Sequence, residues 1–211
     1  MIALSSLDSI ISTKSLLKHP FYQKWSKGEL TLDDLRVYAK EYFHLVERIP
    51  GIVDRVRDRV TDPSFKAGIE HNAEEEREHV ELWKRFAGSL GIPAGELMSY
   101  EPSHTVKDAV ASMEALAERG LEEGITAMYA LELELPKIAV TKKQGLCDFY
   151  GLTSEDAHIY FDEHLKEEEH LKVWRSQPVS DRAAATAEAC VAAQNRVLDG
   201  VCERCGIPMD C

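Results

Sequence analysis

Two stretches of this sequence set histidines and carboxylates at helical spacing. One runs from His71 to Trp83 as H-N-A-E-E-E-R-E-H-V-E-L-W, the other from His158 to Trp174 as H-I-Y-F-D-E-H-L-K-E-E-E-H-L-K-V-W. Each holds a Glu followed three residues later by a His, Glu76 to His79 and Glu167 to His170, a step that puts both side chains on one face of a helix. Each then runs into large apolar residues: Leu82, Trp83 and Phe86 in the first, Leu171 and Trp174 in the second. That alignment aims polar groups at a core. Buried carboxylates and imidazoles need partners, and a metal ion is the partner that satisfies several at once. A further candidate, Glu132, stands within an apolar stripe of Leu121, Ile125, Met128 and Leu135, with Pro136 one turn later.

Three helices thus offer inward ligands: Glu75 or Glu76 with His79, Glu132 alone, and His164, Glu167 or Glu168 with His170. Bridging carboxylates capped by imidazoles are how helical bundles hold two iron or manganese ions, commonly with Glu-x-x-His on two helices and a lone Glu on others. A Glu-rich helix produces Glu-x-x-His by chance, and each cluster singly fits a solvated charged face as well as a metal site, so the metal reading rests on both clusters taken with Glu132. Other chemistries lack their signatures. The chain has no G-x-S-x-G nucleophile elbow and no phosphate-cradling glycine loop. His19 or His44 would serve as a haem ligand, but a lone helical His is more often an ordinary core or surface residue.

The elements that must position these residues are helices. Strand signals are nearly absent while helical spacing recurs throughout, so the class is all-α. A first helix is expected over Ser6 to Lys27 with a break at Pro20, and Thr31 with Asp34 makes a capping box for a second. That second helix carries Leu35, Tyr38, Tyr42, Leu45 and Ile49 on one stripe and kinks at Pro50-Gly51. Asp62-Pro63 opens a long third helix bearing the first cluster. Thr105 caps a fourth, the fifth carries Glu132, and Thr153 with Asp156 opens the sixth, which holds the second cluster. Ser180 caps a last helix to about Asp199, followed by a mobile cysteine-bearing tail from about residue 200.

Composition narrows the partners. A chain of 211 residues fills one core, and with no linker-like stretch residues 1–211 read as a single domain. The net charge of −12 argues against nucleic acid or an anionic membrane surface. No apolar run is long enough to span a bilayer and the N-terminus lacks the pattern of a secretory signal, so a cytoplasmic protein is expected. Five cysteines crowded toward the C-terminus make no disulfide framework, and the Cys202–Cys205 C-x-x-C has no second pair to complete a zinc site.

At H-P-F-Y-Q-K-W-S-K-G-E-L, Y-A-K-E-Y-F, H-V-E-L-W-K-R-F, P-K-I-A and Y-F-D-E-H, the sequence resembles the haem-oxygenase-like di-metal oxidases. The resemblance is to the branch of the Chlamydia protein associating with death domains, with thiaminase II and pyrroloquinoline quinone biosynthesis protein C as related branches. It covers nearly the whole chain. It implies a haem-oxygenase-like bundle of about seven helices, a homodimer, and two metal ions, iron with iron or iron with manganese, that use O2 and an external reductant. The implied activity is p-aminobenzoate synthesis for folate, in which the protein consumes its own tyrosine and draws an amino group from a lysine. By position the metal ligands fall on Glu75, His79, Glu132, His164, Glu167 or Glu168, and His170; the tyrosine is Tyr22, the lysine Lys142, and Tyr38 and Tyr160 match aromatic positions near the metals.

Two departures stand against that pattern. From His164 to His170 the chain is one residue shorter than the family's His-x-x-x-Asp-x-x-His, which in an ideal helix rotates the downstream residues by about 100°. Either the helix is distorted there, or Glu163 takes the place of His164. In the first cluster the family has a longer segment between Glu and His, leaving Glu75 and Glu76 both open. The thiaminase reaction needs a cysteine in the pocket, and only Cys147 lies outside the last helix and tail. Two rival functions remain: oxidation of a separate small molecule at the same metals, and a non-catalytic metal-binding interaction module.

Overall fold

The computed structural model describes residues 4–166, 168–175 and 180–209, the side chains of residues 168–170 excepted. Among them all regular structure is helical. The α1 helix (Leu4–Thr13) and α2 (Pro20–Trp25) are separated by a 3-10 turn, Leu16–Lys18. Pro20 opens α2 because the position before it is extended and His19 caps the new helix, its Nδ1 accepting the Phe21 N–H at 3.2 Å. With Nδ1 accepting, the ring proton sits on Nε2, which donates to Asp199 at 3.0 Å. The α3 helix (Leu32–Val46) starts from the Thr31–Asp34 capping box, and α4 (Ile49–Arg57) continues it past Pro50.

The long α5 (Pro63–Ser89) is capped by Asp62 and leads through the short α6 (Ala94–Ser99) to α7 (His104–Arg119). Ser103 rather than Thr105 caps α7, and Ser154 rather than Thr153 caps α10 (Glu155–Glu163), since in each case it is the serine hydroxyl that reaches the third following N–H. Between them, α8 (Leu121–Glu132) gives way to α9 (Leu135–Asp148) at Pro136, and α10 is followed by a 3-10 turn, His164–Lys166, and α11 (Glu168–Arg175). The last helix, α12 (Asp181–Cys205), is capped by Ser180. Grouping helices that follow one another across a kink or a short connection gives seven units among the described residues, α1–α2, α3–α4, α5, α7, α8–α9, α10–α11 and α12, with the short α6 as a link between α5 and α7.

The C-terminal segment corrects an expectation. Instead of ending near Asp199, α12 continues to Cys205 and stops at Gly206, whose left-handed backbone (φ 67°) closes the helix. Val197, Leu198, Val201 and Cys202 extend its apolar stripe, so Cys202 is buried in the core and the C-x-x-C lies inside the helix, not in a mobile tail. No helix among the described residues is long and apolar enough to cross a membrane.

Candidate functional site

The α5 helix turns Ile69, Asn72, Ala73, Glu76, His79, Trp83 and Phe86 inward, the steps of three and four that keep one face. Glu76 Oε2 lies 3.4 Å from His79 Nδ1, both side chains buried. Glu75, turned about 100° from its neighbour by helical geometry, sits half-buried at the rim beside the exposed His71, 3.6 Å away. Of the two carboxylates that the sequence leaves open, Glu76 is the buried one and Glu75, the position drawn from the resemblance, the half-buried one.

His164 enters from the end of α10. Its ring is buried, 4.5 Å from the His79 ring and 4.4 Å from the Tyr160 ring, with Tyr160 6.1 Å from His79. The 3-10 turn His164–Lys166 is the distortion that the shortened spacing calls for. Glu163, the alternative, points outward and pairs with Lys166 at 2.9 Å. Glu132, the last residue of α8, is 1% exposed, and its Oε2 accepts the Trp174 indole N–H at 2.8 Å. Glu167 and the side chains of Glu168 and His170 lie outside the described residues.

Among the described residues no three His, Cys, Asp or Glu side chains are already arranged around one point. The structure does bring together the imidazoles of His79 and His164, and it buries the carboxylates of Glu76 and Glu132 in the same interior. One turn before Glu76, the buried amide of Asn72 finds no hydrogen-bond partner among the described residues for either its oxygen or its nitrogen. A mixed imidazole and oxygen donor set suits iron or manganese, and a buried amide left unsatisfied calls for a further group such as an ion or a water. The residues fit a metal.

A second constellation lies alongside. The α9 helix carries Lys142 into the core, 3% exposed, where its Nζ donates to the Tyr38 hydroxyl. The Tyr38 hydroxyl also pairs with that of Tyr22 at 3.3 Å. Five rings surround the amine, with centroids at 5.1 Å (Tyr22), 4.8 Å (Tyr38), 5.0 Å (Tyr42), 5.8 Å (Trp83) and 5.2 Å (Phe161). No carboxylate pairs with it among the described residues, and burial holds its pKa well below the usual lysine value, favouring the neutral, nucleophilic amine. Burial, reinforced by the nearby Tyr42, raises the Tyr22 phenol well above the usual value against the lowering effect of its Tyr38 hydrogen bond. Burial likewise raises Tyr38, with Tyr22 adding to it. Both phenols therefore keep their protons at neutral pH.

The position of Lys142 is set from α2. The Trp25 indole donates to the Lys142 carbonyl at 3.2 Å, and this approach requires Gly145, where a Cβ would lie 2.5 Å from Trp25 Nε1. Trp83 joins the two constellations, 4.7 Å from the Tyr160 ring on one side and 5.7 Å from Tyr38 on the other. Trp25, Tyr42, Trp83, Phe161 and Trp174 all line these sites, although helical spacing alone reads Tyr42, Trp83 and Trp174 as core. A stripe of aromatics at helical spacing looks the same whether it packs against leucine or around an amine.

The chain matches the model of the TENA/THI-4/PQQC family over residues 6–203. It is 32% identical over 212 aligned residues to a 4-aminobenzoate synthase of Chlamydia muridarum, covering 95% of this chain and 90% of that protein. It is 36% identical over 166 residues to the 4-aminobenzoate synthase of Chlamydia trachomatis, covering 76% and 72%. A solved structure from Shewanella denitrificans, described as a domain of unknown function with a heme oxygenase-like fold, superimposes with a TM-score of 0.84 at 18% identity, over 98% of this chain and 95% of that one. A CADD-like protein of unknown function from Nostoc punctiforme gives a TM-score of 0.69 at 14% identity, over 99% and 96%. The expected haem-oxygenase-like bundle is thus the fold observed, and the chain belongs to the TENA/THI-4/PQQC family.

Proposed function

We propose that this protein is an oxygen-dependent 4-aminobenzoate synthase that uses its own Tyr22 as the source of the ring and Lys142 as the source of nitrogen. The observation that carries the reading is the aromatic cage in which a buried, charge-disfavoured lysine faces a buried tyrosine, its Nζ 5.1 Å from the Tyr22 ring centroid. The similarity to two 4-aminobenzoate synthases of Chlamydia supports it.

The product constrains the geometry. In 4-aminobenzoate the nitrogen occupies the ring carbon para to the carboxyl-bearing carbon, which in tyrosine is the carbon that bears the phenol oxygen. The amine must therefore stand at the hydroxyl end of the ring. Lys142 Nζ and Tyr22 Oη both meet Tyr38 Oη, so the donor is held at that end. Tyr38 acts as a shared hydrogen-bonding post: it accepts from the amine and fixes the direction of its lone pair. The cage excludes water from the amine, which keeps it neutral and leaves it no competing partner.

His79, His164, Glu76 and Glu132 would hold the metals, iron with iron or iron with manganese, with further ligands from Glu167 or Glu168 and His170. Bound there, such a centre supplies O2 activation with electrons from an external reductant. Tyr160 and Trp83 pack between these ligands and the cage, so a metal held there and the tyrosine would share one buried aromatic interior.

The test is mass spectrometry of the protein before and after incubation with iron, manganese, reductant and O2, with analysis of released small molecules. Altered Tyr22 and Lys142 peptides with 4-aminobenzoate in solution are expected. Unchanged peptides and no aminobenzoate would defeat the self-consuming reading. Turnover retained by Tyr22→Phe would instead point to oxidation of a separate small molecule.

A further inference from the structure

Asn72 is 1% exposed, and among the described residues neither end of its amide has a hydrogen-bond partner. Buried polar side chains are almost always satisfied, and one that is not costs the protein its full desolvation penalty. Leucine, with the same branched four-atom side-chain skeleton but bulkier methyl groups, would carry no such desolvation cost. Position 72 precedes Glu76 by four residues and His79 by seven, so all three lie along one stripe of α5. The next inward residues along the stripe are the candidate ligands themselves.

We infer that Asn72 is a further metal-site residue, supplying its amide oxygen as a neutral donor to the cation that Glu76 and His79 face. This rests on the metal reading given above. An amide oxygen is a hard donor of the kind that iron(II) and manganese(II) accept beside carboxylate and imidazole. Coordination through Oδ1 leaves the two N–H groups for a water in the same shell, so one bound cation with its solvent satisfies both unpartnered ends. Being neutral, the amide also adds no negative charge to an interior that already buries Glu76 and Glu132.

The two roles open to Asn72, metal donor or host for a buried water, separate on one pair of measurements with the full chain. Asn72→Leu removes the unsatisfied amide, so the metal-free protein should melt several degrees higher. If Asn72 is a donor, the same variant should bind Mn2+ or anaerobic Fe2+ at least about tenfold more weakly by calorimetric titration. Asn72→Asp, which adds a charged oxygen, should show the reverse: lower metal-free stability and tighter Mn2+ binding. Mn2+ affinity of Asn72→Leu within twofold of the unaltered chain would overturn the assignment while leaving the metal reading intact. Absence of Mn2+ and Fe2+ uptake by the unaltered chain would overturn both. Should the leucine variant not fold, Asn72→Ala is judged by the same affinity criterion.

Discussion

Lys142 and Tyr22 come from helices far apart in the chain yet converge on one atom, the Tyr38 hydroxyl, with the lysine nitrogen 5.1 Å from the centre of the tyrosine ring. An amine in that setting has aromatic faces around it and no anion among the described residues to stabilise its charge. The rings recover part of the lost hydration through cation–π attraction, but burial still governs its protonation. The cage therefore stores a free base inside a protein at a pH where exposed lysines are cations.

Lys142→Met should abolish 4-aminobenzoate release and at the same time stabilise the fold near neutral pH. Because the lysine pKa is lower in the folded than in the unfolded chain, folding expels a proton, and between the two values stability rises with pH. Methionine removes that dependence. Near pH 7 the variant should melt higher by on the order of 5 °C, and the gap should close as pH climbs toward 10.5, the ordinary lysine value. Melting curves of both proteins from pH 6.5 to 10 measure it; a gap that widens with pH would contradict the burial argument.

Tyr22→Phe keeps the ring packing and removes one hydroxyl whose partner is Tyr38. The cost to stability should be small, about 1 kcal/mol for a single neutral hydrogen bond, while product falls to background. Denaturant titration gives the first quantity and chromatography of the supernatant the second.

Glu75 and Glu76 are adjacent in sequence but differ in depth, one beside His71 at the rim and the other buried against His79. Metal content of purified Glu75→Ala should stay within about twofold of the unaltered chain, whereas Glu76→Ala should fall roughly tenfold or more. Equal losses from the two variants would show that the helical phase does not govern ligand choice.

Gly145→Ala would be mildly favourable in a typical helix, by about 1 kcal/mol. Here its new methyl would lie 2.5 Å from Trp25 Nε1, so the sign should reverse to a loss of about 1–3 kcal/mol. Forcing Trp25 aside also removes its hydrogen bond to the Lys142 carbonyl, and the yield of aminobenzoate should drop with stability. Chemical denaturation alongside product assay tests both.

Much of the scaffold was readable along the chain. Thr31 with Asp34, Asp62 with Pro63, and Ser180 are local capping signals, and each opens the helix it predicts. Misplaced starts at Thr105 and Thr153 differ from the true caps by one or two residues, because a neighbouring serine hydroxyl reached the free N–H groups first. The end of α12 lies beyond its expected place because Val201 and Cys202, tail-like in sequence, continue the helix's apolar stripe into the core.

The site divides along the same line. Types and spacing alone determined that Glu and His would share a face of α5, that Glu132 would interrupt an apolar stripe, and that the segment after His164 would need either a distortion or a different ligand. Only the tertiary structure decided that Glu76 is buried and Glu75 half-buried, that the distortion is a 3-10 turn which keeps His164 inward, and that Glu132 meets Trp174. It alone placed Lys142 among rings from four other helices. The physical reason is range: capping and periodicity act within a turn or two of helix, whereas the environment that strips a lysine of its charge is built largely by side chains from distant parts of the chain, brought together only once the helices have packed.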